Sequence, residues 1–217
     1  MGAHSNLLPL PFGERVGVRG VNDLVRVHSL SPCEWGEGWG EGLLTILYPW
    51  PMPSDAGLKR LARRVGRKLL ASHLRLATAE SCTGGWIAKA ITDIAGSSQW
   101  FEGGYVTYSN ETKISTLGVR RRTLARFGAV SEAVASEMAR GAMRASGADL
   151  AVSVTGIAGP DGGSPDKPVG TVWFCWARRR RRAVRLNTRK VRLKGNRAQV
   201  RSKSVALALN GLLRAAT

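Results

Sequence analysis

The sequence predicts a three-layer α/β/α sandwich built around a mixed β-sheet. From Leu58 onward, short apolar segments typical of buried strands alternate with amphipathic helical segments, which is the pattern of an α/β domain. Two later strand-like segments, 170–177 and 183–193, follow one another without a helix between them, so we expect a hairpin. Because a hairpin adds an antiparallel pair to strands that are otherwise parallel, the sheet is expected to be mixed.

Local patterns place the elements in chain order. The first helix is marked by apolar residues at helical spacing, with basic residues largely on its other face: Leu58, Leu61, Ala62, Val65 and Leu69. Earlier strands are predicted at 74–79, 104–108 and 148–155. Further helices are predicted from near Ile87 to Gly96, within 109–118, at 120–127, after Ser131 and after Asn196.

Composition indicates one soluble domain with additional length at its start. The chain has 217 residues, of which 43% are apolar and 22% charged, enough for a substantial core. Residues 1–51 have scattered Gly and Pro and no sustained periodicity, so we expect a disordered or non-native leader. The domain is expected to span 52–217, with Met52 as the native start or with a dispensable leader before it.

The formal net charge of +18 is concentrated in one part of the chain. Residues 178–203 contain thirteen Lys or Arg and no carboxylate. Such a stretch attracts phosphates, nucleic acid or acidic membrane surfaces through its long-range field. It is either a solvated hairpin tip or a patch for weak, nonspecific nucleic-acid binding through Arg178–Lys203.

Cysteine usage and hydropathy bound the cellular setting. Cys33, Cys82 and Cys175 are an odd, widely spaced set without a CxxC pair, which favours neither a disulfide framework nor a zinc site. The apolar run 43–50 is too short to span a bilayer and lacks the flanks of a signal peptide. We therefore expect a reduced, cytoplasmic protein with no membrane segment.

A polar turn at 80–85 stands between a predicted strand and a predicted helix. Its paired glycines, Gly84 and Gly85, allow a ligand to approach the backbone, while Ser81 or Thr83 is free to cap the helix. From the residues alone, capping by Ser81 and nucleophilic catalysis by Ser81 both stay open. No His lies in a plausible site segment, which argues against a Ser-His-Asp triad.

Two other side chains bear on how a serine would be activated. Lysine can act as the base when burial lowers its pKa, and Lys113, just after the second strand, is the candidate; a solvated surface lysine is the alternative. Cys82 is a rival nucleophile by chemistry, although a buried packing role is favoured at its position. Tyr108 is a strand aromatic or a proton relay.

Five ordered blocks resemble the successive motifs of the nicotinamide-nucleotide amidohydrolases, the CinA carboxyl-terminal domain family. They are Ala79 to Gly85, Gly96 to Phe101, Tyr105 to Lys113, Gly128 to Ser131 and Thr155 to Gly163. The resemblance covers Leu58 to Leu213. It implies hydrolysis of the carboxamide of nicotinamide mononucleotide by a Ser81 nucleophile assisted by Tyr108 and Lys113, without metal or cofactor. It also makes a homodimer plausible.

The substrate-binding residues are expected near the ends of the predicted strands, where Ser81 and Tyr108 also lie. Backbone N–H groups of Thr83, Gly84 and Gly85 are predicted to hold the oxyanion. The loop after the third strand, with Thr155, Gly156 and Gly159, or Arg197 at the start of the last helix, is predicted to cradle the substrate's phosphate. Two alternatives stay open: a basic nucleic-acid-binding protein without hydrolase activity, and a hydrolase of another aromatic carboxamide.

Overall fold

The computed structural model describes residues 52–181 and 183–217, and the predicted leader at 1–51 lies outside these ranges. The helices are α1 (Asp55–Ala71), α2 (Trp86–Thr92), α3 (Asn110–Leu117), α4 (Arg121–Phe127), α5 (Glu132–Ser146) and α6 (Arg197–Ala215). The strands are β1 (Leu76–Glu80), β2 (Phe101–Val106), β3 (Leu150–Gly156), β4 (Thr171–Arg180) and β5 (Ala183–Arg192). Each predicted helix and strand is present, with boundaries shifted by a few residues.

The five strands form one mixed sheet in the order β2-β1-β3-β4-β5. β1 is parallel to both β2 and β3, and β4 and β5 continue the sheet in antiparallel fashion. Glu80, the last residue of β1, stands opposite Val106 of β2 and Val154 of β3. The carboxyl ends of the three parallel strands therefore meet at one edge of the sheet, where α/β domains place their sites.

Side chains alternate across the sheet and divide the core into two layers. In β3, Leu150, Val152 and Val154 pack with α1, α2 and α6 on one face, whereas Ala151 packs with α3 and α5 on the other. The predicted apolar stripe of α1 is buried in the first of these layers, with Leu61 only partly so. Helices on both faces of a mixed sheet confirm the predicted three-layer sandwich.

β2 starts three residues before its predicted first residue, Gly104, and ends at Val106. The two glycines inside it weaken a sequence-based strand signal. Their neighbours explain why the strand forms: a Cβ on Gly104 would lie 2.8 Å from the Ala88 Cβ and 2.9 Å from the Thr78 Oγ1. Gly104 thus lets α2 pack directly onto the sheet. Because the strand ends at Val106, Tyr108 lies two residues beyond it and not at its end as predicted.

The hairpin of β4 and β5 separates the basic stretch into two groups. β4 begins beside the carboxyl end of β3, where Val172 pairs with Gly156, and it ends beside the amino end, where Arg178 pairs with Leu150. The hairpin tip, which begins at Arg180, therefore lies at the end of the sheet opposite Glu80. The chain then returns, and Arg197 lies at the same end as Glu80.

Candidate active site

Ser81 lies in a turn that connects β1 to α2. Its backbone N–H donates to the Val154 carbonyl over 3.0 Å, which holds the turn against β3, and its carbonyl accepts the Gly84 N–H over 3.0 Å. Gly84 and Gly85 have φ of 62° and 89°, a left-handed conformation that favours glycine. The capping alternative for Ser81 is wrong, because Gly85 is the N-cap of α2 and makes no side-chain capping bond.

The Lys113 Nζ lies 3.1 Å from the Ser81 Oγ. Lys113 is carried by α3, whose start is capped by the Ser109 hydroxyl, and it is only 1% exposed. Its Nζ also donates to the carbonyls of Thr107 over 2.8 Å and Tyr108 over 3.2 Å. The surface-lysine alternative is therefore wrong.

Burial lowers the pKa of Lys113 below its ordinary value. The cause is desolvation, which disfavours the charged ammonium in the protein interior. In the same region, burial raises the pKa of the Cys82 thiol to about 12. Burial thus disfavours the charged form of both groups beside Ser81, and the thiolate that a Cys82 nucleophile requires is disfavoured.

Tyr108, Gly159 and Arg197 form a second group of predicted site residues. Arg197, the first residue of α6, donates from Nη2 to the Tyr108 Oη over 2.9 Å and from Nη1 to the Gly159 carbonyl over 2.8 Å. Tyr108 is 60% exposed. It links the two groups, because its backbone carbonyl contacts Lys113 and its phenol contacts Arg197.

Thr155 and Gly156 lie at the end of β3, and in the described part of the chain neither is hydrogen-bonded to the side chains of these two groups. The Thr155 hydroxyl donates to the Ala129 carbonyl over 2.9 Å, so it ties the segment before α5 to the sheet. A Cβ on Gly156 would lie 2.8 Å from the Thr171 carbonyl oxygen. Their predicted part in substrate binding stays a prediction.

Two charged residues beside the turn are missed by the sequence analysis. Glu80 is fully buried, and its Oε2 and Oε1 accept the N–H groups of Ile87 over 3.0 Å and Ala88 over 2.8 Å. Arg201 donates from Nη2 to the Thr83 carbonyl over 2.8 Å, and its guanidinium lies 5.4 Å from the centre of the Trp86 ring. The signal for Arg201 was its spacing, four residues after Arg197 on one helix face.

A cavity of about 510 Å³ opens elsewhere, at the start of α5. Phe127, Trp173, Lys167, Lys190 and Glu132 are among the residues that line it. None of the predicted site residues takes part in its lining.

Within residues 52–181 and 183–217, no group of His, Cys, Asp or Glu has the arrangement of a metal site. None of the helices in these ranges combines the length and the apolar character that a membrane span requires.

Comparison with known proteins identifies similar sequences and folds. The family model for the CinA C-terminal domain matches residues 58–216. Nicotinamide-nucleotide amidohydrolase PncC of Escherichia coli K12 is 56% identical over 159 residues, which cover 73% of this chain and 94% of that protein. The protein of the same name from Pseudomonas putida is 51% identical over 157 residues, covering 72% of this chain and 96% of that protein.

A solved structure extends the similarity to the fold. The competence/damage inducible protein CihA from Agrobacterium tumefaciens aligns with a TM-score of 0.71 and 43% sequence identity. The alignment covers 77% of this chain and 99% of that protein. The similarity therefore extends over nearly the whole of the matched protein.

Proposed function

The chain belongs to the CinA C-terminal domain family, and on this premise we propose that it is a nicotinamide-nucleotide amidohydrolase. The reaction is hydrolysis of the carboxamide of nicotinamide mononucleotide to nicotinate mononucleotide and ammonia, as a step of NAD salvage. The proposal is supported by relatives of that name at 51% and 56% identity over nearly their full length. The observation that carries it is the 3.1 Å contact between the Ser81 Oγ and the buried Lys113 Nζ.

The hydrogen-bond partners of Lys113 suit it to act as the base. A neutral amine has two N–H donors and one lone pair. The carbonyl oxygens of Thr107, Tyr108 and Ser109 can only accept; we assign the two N–H groups to the two nearest, at 2.8 and 3.2 Å, because Ser109 lies farther away at 3.5 Å. The lone pair is then left for the Ser81 hydroxyl, which can donate. Since burial lowers the pKa of Lys113, the neutral form is more accessible than in an exposed lysine.

The chemical step is acyl transfer. The Ser81 oxygen attacks the amide carbon while Lys113 takes its proton, and the tetrahedral intermediate collapses with loss of the amine, which Lys113 protonates to ammonia. Water, deprotonated by the same lysine, then attacks the ester and releases the carboxylate. Ser81 regains its proton in that second half, so the enzyme returns to its starting state.

The turn after Ser81 supplies donors for the oxyanion. The Gly84 N–H is already bonded to the Ser81 carbonyl, whereas the N–H groups of Thr83 and Gly85 donate to no backbone carbonyl in the described part of the chain. We therefore assign the oxyanion to these two groups and exclude Gly84 from the predicted set. Such a donor contributes about 2.7 to 4 kcal/mol to transition-state stabilisation.

Arg197 is the residue proposed to recognise the substrate's phosphate. Its guanidinium reaches from the start of α6 to the phenol of Tyr108 and to the Gly159 carbonyl, and a guanidinium suits bidentate phosphate binding. Tyr108 is exposed and next to this charge, so its phenol is available to the substrate. Roles for Thr155, Gly156 and Gly159 in the same cradle are part of the proposal.

The alternative functions predict other outcomes than the proposed amidohydrolase activity. The relatives' names do not favour an idle nucleic-acid-binding protein. A different aromatic carboxamide substrate, a homodimer and cytoplasmic residence stay predictions.

Ammonia release would be measured with nicotinamide mononucleotide and with its dephosphorylated riboside. We expect turnover of the nucleotide and a much higher KM for the riboside. Absence of ammonia release from the nucleotide would overturn the proposed activity. Equal KM values would show that the enzyme does not recognise the phosphate.

A further inference from the structure

Glu80 is a buried carboxylate directly before Ser81 that the proposed reaction does not use. It is 0% exposed and forms no ion pair with any residue in 52–181 or 183–217. An ionised carboxylate in the interior is costly unless its oxygens are satisfied. Its environment therefore has to provide a compensating partner.

That partner is the first turn of α2. The two carboxylate oxygens accept the N–H groups of Ile87 and Ala88 over 3.0 and 2.8 Å, where the helix also carries partial positive charge. The backbone carbonyl of Glu80 accepts the Thr107 N–H over 2.9 Å at the end of β2. Glu80 thus connects the strand end to the helix start and closes the turn 81–85 between them.

The middle of the same turn is held from the opposite side. Arg201 donates to the Thr83 carbonyl, and a Cβ on Gly84 would lie 3.2 Å from the Arg201 Nη2. α6 therefore restrains the middle of the turn, while Glu80 fixes its two ends. A turn constrained in this way presents Ser81 and the N–H groups of Thr83 and Gly85 in one arrangement.

We propose that Glu80 is a positioning residue: by anchoring the start of α2, its carboxylate orients the turn so that the Ser81 Oγ faces Lys113 and the Thr83 and Gly85 N–H groups face the reacting carbonyl. The inference rests on the proposed function for its substrate. It does not require that substrate for its test. The two carboxylate oxygens let Glu80 accept both N–H groups at once, one on each oxygen.

The test is Glu80→Gln, which keeps the shape but replaces one acceptor oxygen by an NH₂ donor. One helix N–H then loses its acceptor, and the turn shifts. Because misplacement of a reacting group by about 1 Å costs on the order of 10²-fold, we expect kcat to fall by roughly 10- to 100-fold with KM nearly unchanged. The pH at which the rate is half-maximal is expected to stay the same. A shift of that pH would mean that Glu80 acts on Lys113 through its charge, and would overturn the proposal.

Ser131→Ala is the matched control. Ser131 caps α5 on the other face of the sheet, where its Oγ accepts the Val134 N–H, and it is no part of the proposed site. If Glu80 were only a cap, both variants would lose unfolding free energy and keep their kcat. That result would reduce Glu80 to a structural role. Folded Glu80→Gln with a specific loss of kcat is the expected outcome.

A second readout separates this inference from the substrate assignment. Covalent labelling of Ser81 by a fluorophosphonate, followed by intact-protein mass spectrometry, depends on the nucleophile, its base and the oxyanion donors but not on nicotinamide mononucleotide. Slower labelling of Glu80→Gln than of wild type supports positioning even where the nucleotide is not a substrate. Equal labelling rates of Glu80→Gln and wild type would overturn it.

Discussion

Charged side chains are buried at one end of the sheet and exposed at the other. At the carboxyl ends of β1 and β2, Glu80 and Lys113 are buried, and each is held by several fixed partners. At the hairpin tip, Arg180 and Arg181 are exposed. We therefore expect the chemistry to depend on the few charged groups that are removed from water, and not on the many that give the chain its net charge.

The physical reason is the dielectric environment. A charge in the interior interacts strongly with nearby dipoles, so its position and protonation are set by particular neighbours. An exposed arginine is screened by water and salt within about 8 to 10 Å, so it contributes mainly a nonspecific field.

The largest effect is expected at the interior pair. Ser81→Ala and Lys113→Ala should each reduce kcat for ammonia release by about 10⁴-fold or more, since nucleophile and base act as one unit. The double variant should then be hardly slower than either single variant. Circular dichroism would verify that all three are folded. A folded Ser81→Ala with near-normal turnover would show that another residue is the nucleophile.

Tyr108→Phe should reduce kcat less than these substitutions do. The phenol of Tyr108 contacts Arg197, whereas its contact with Lys113 is through the backbone carbonyl, which the substitution keeps. A single positioned polar group typically contributes about 10²-fold or somewhat more. Arg197→Ala is the companion variant. If the phenol serves only to orient Arg197, the two variants should raise KM alike; a large fall in kcat for Tyr108→Phe alone would instead indicate proton transfer.

The pH profile tests the protonation state of Lys113. The base must be neutral, so the rate should rise about tenfold per pH unit below its pKa and then level off. Burial lowers that pKa, and the rising limb should therefore lie at lower pH than for an ordinary lysine. Steady-state rates measured from neutral pH upward would locate it. A limb at the pH of an exposed lysine would mean that Lys113 is solvated during turnover.

Cys82→Ala should affect stability and leave the chemistry intact. The side chain is buried and its thiolate is disfavoured, so kcat should be close to that of wild type. Loss of its packing should lower the free energy of unfolding by about 1 kcal/mol, measured by urea denaturation. A folded variant without activity would identify Cys82 as the nucleophile.

The smallest effect on activity is expected at the hairpin tip. Replacing Arg180 and Arg181 by glutamate should leave kcat unchanged, because the tip lies at the other end of the sheet from Ser81. If this end binds nucleic acid, the replacement should weaken binding to duplex DNA at low salt, and the slope of log affinity against log salt should fall by about one unit per arginine. Fluorescence anisotropy with Lys190→Glu and Lys194→Glu as a charge-matched control would measure this. DNA binding unchanged by the tip substitutions would exclude the tip as its site.

Much of the site was predictable because its signals are local. The apolar stripe of α1, the paired glycines at 84–85 and the Ser131 cap each depend on a few neighbouring residues. The ordered motif blocks, through their resemblance to a family, pointed to Ser81, Tyr108 and Lys113 as the candidate catalytic residues. The leader at 1–51 lies outside the described residues, so that expectation remains open.

By itself, the sequence determined the alternation of strands and helices and the mixed sheet, since periodicity and turn residues act over short range; its motif blocks named the candidate reactive side chains. Only the tertiary structure decided which charges are buried. Lys113 reaches Ser81 across 32 positions of sequence because β1 and β2 are parallel neighbours. Arg201 reaches the turn across 118 positions because α6 returns along the same face. The desolvation that lowers the pKa of Lys113, and the helix start that compensates Glu80, exist only once these distant segments have packed together.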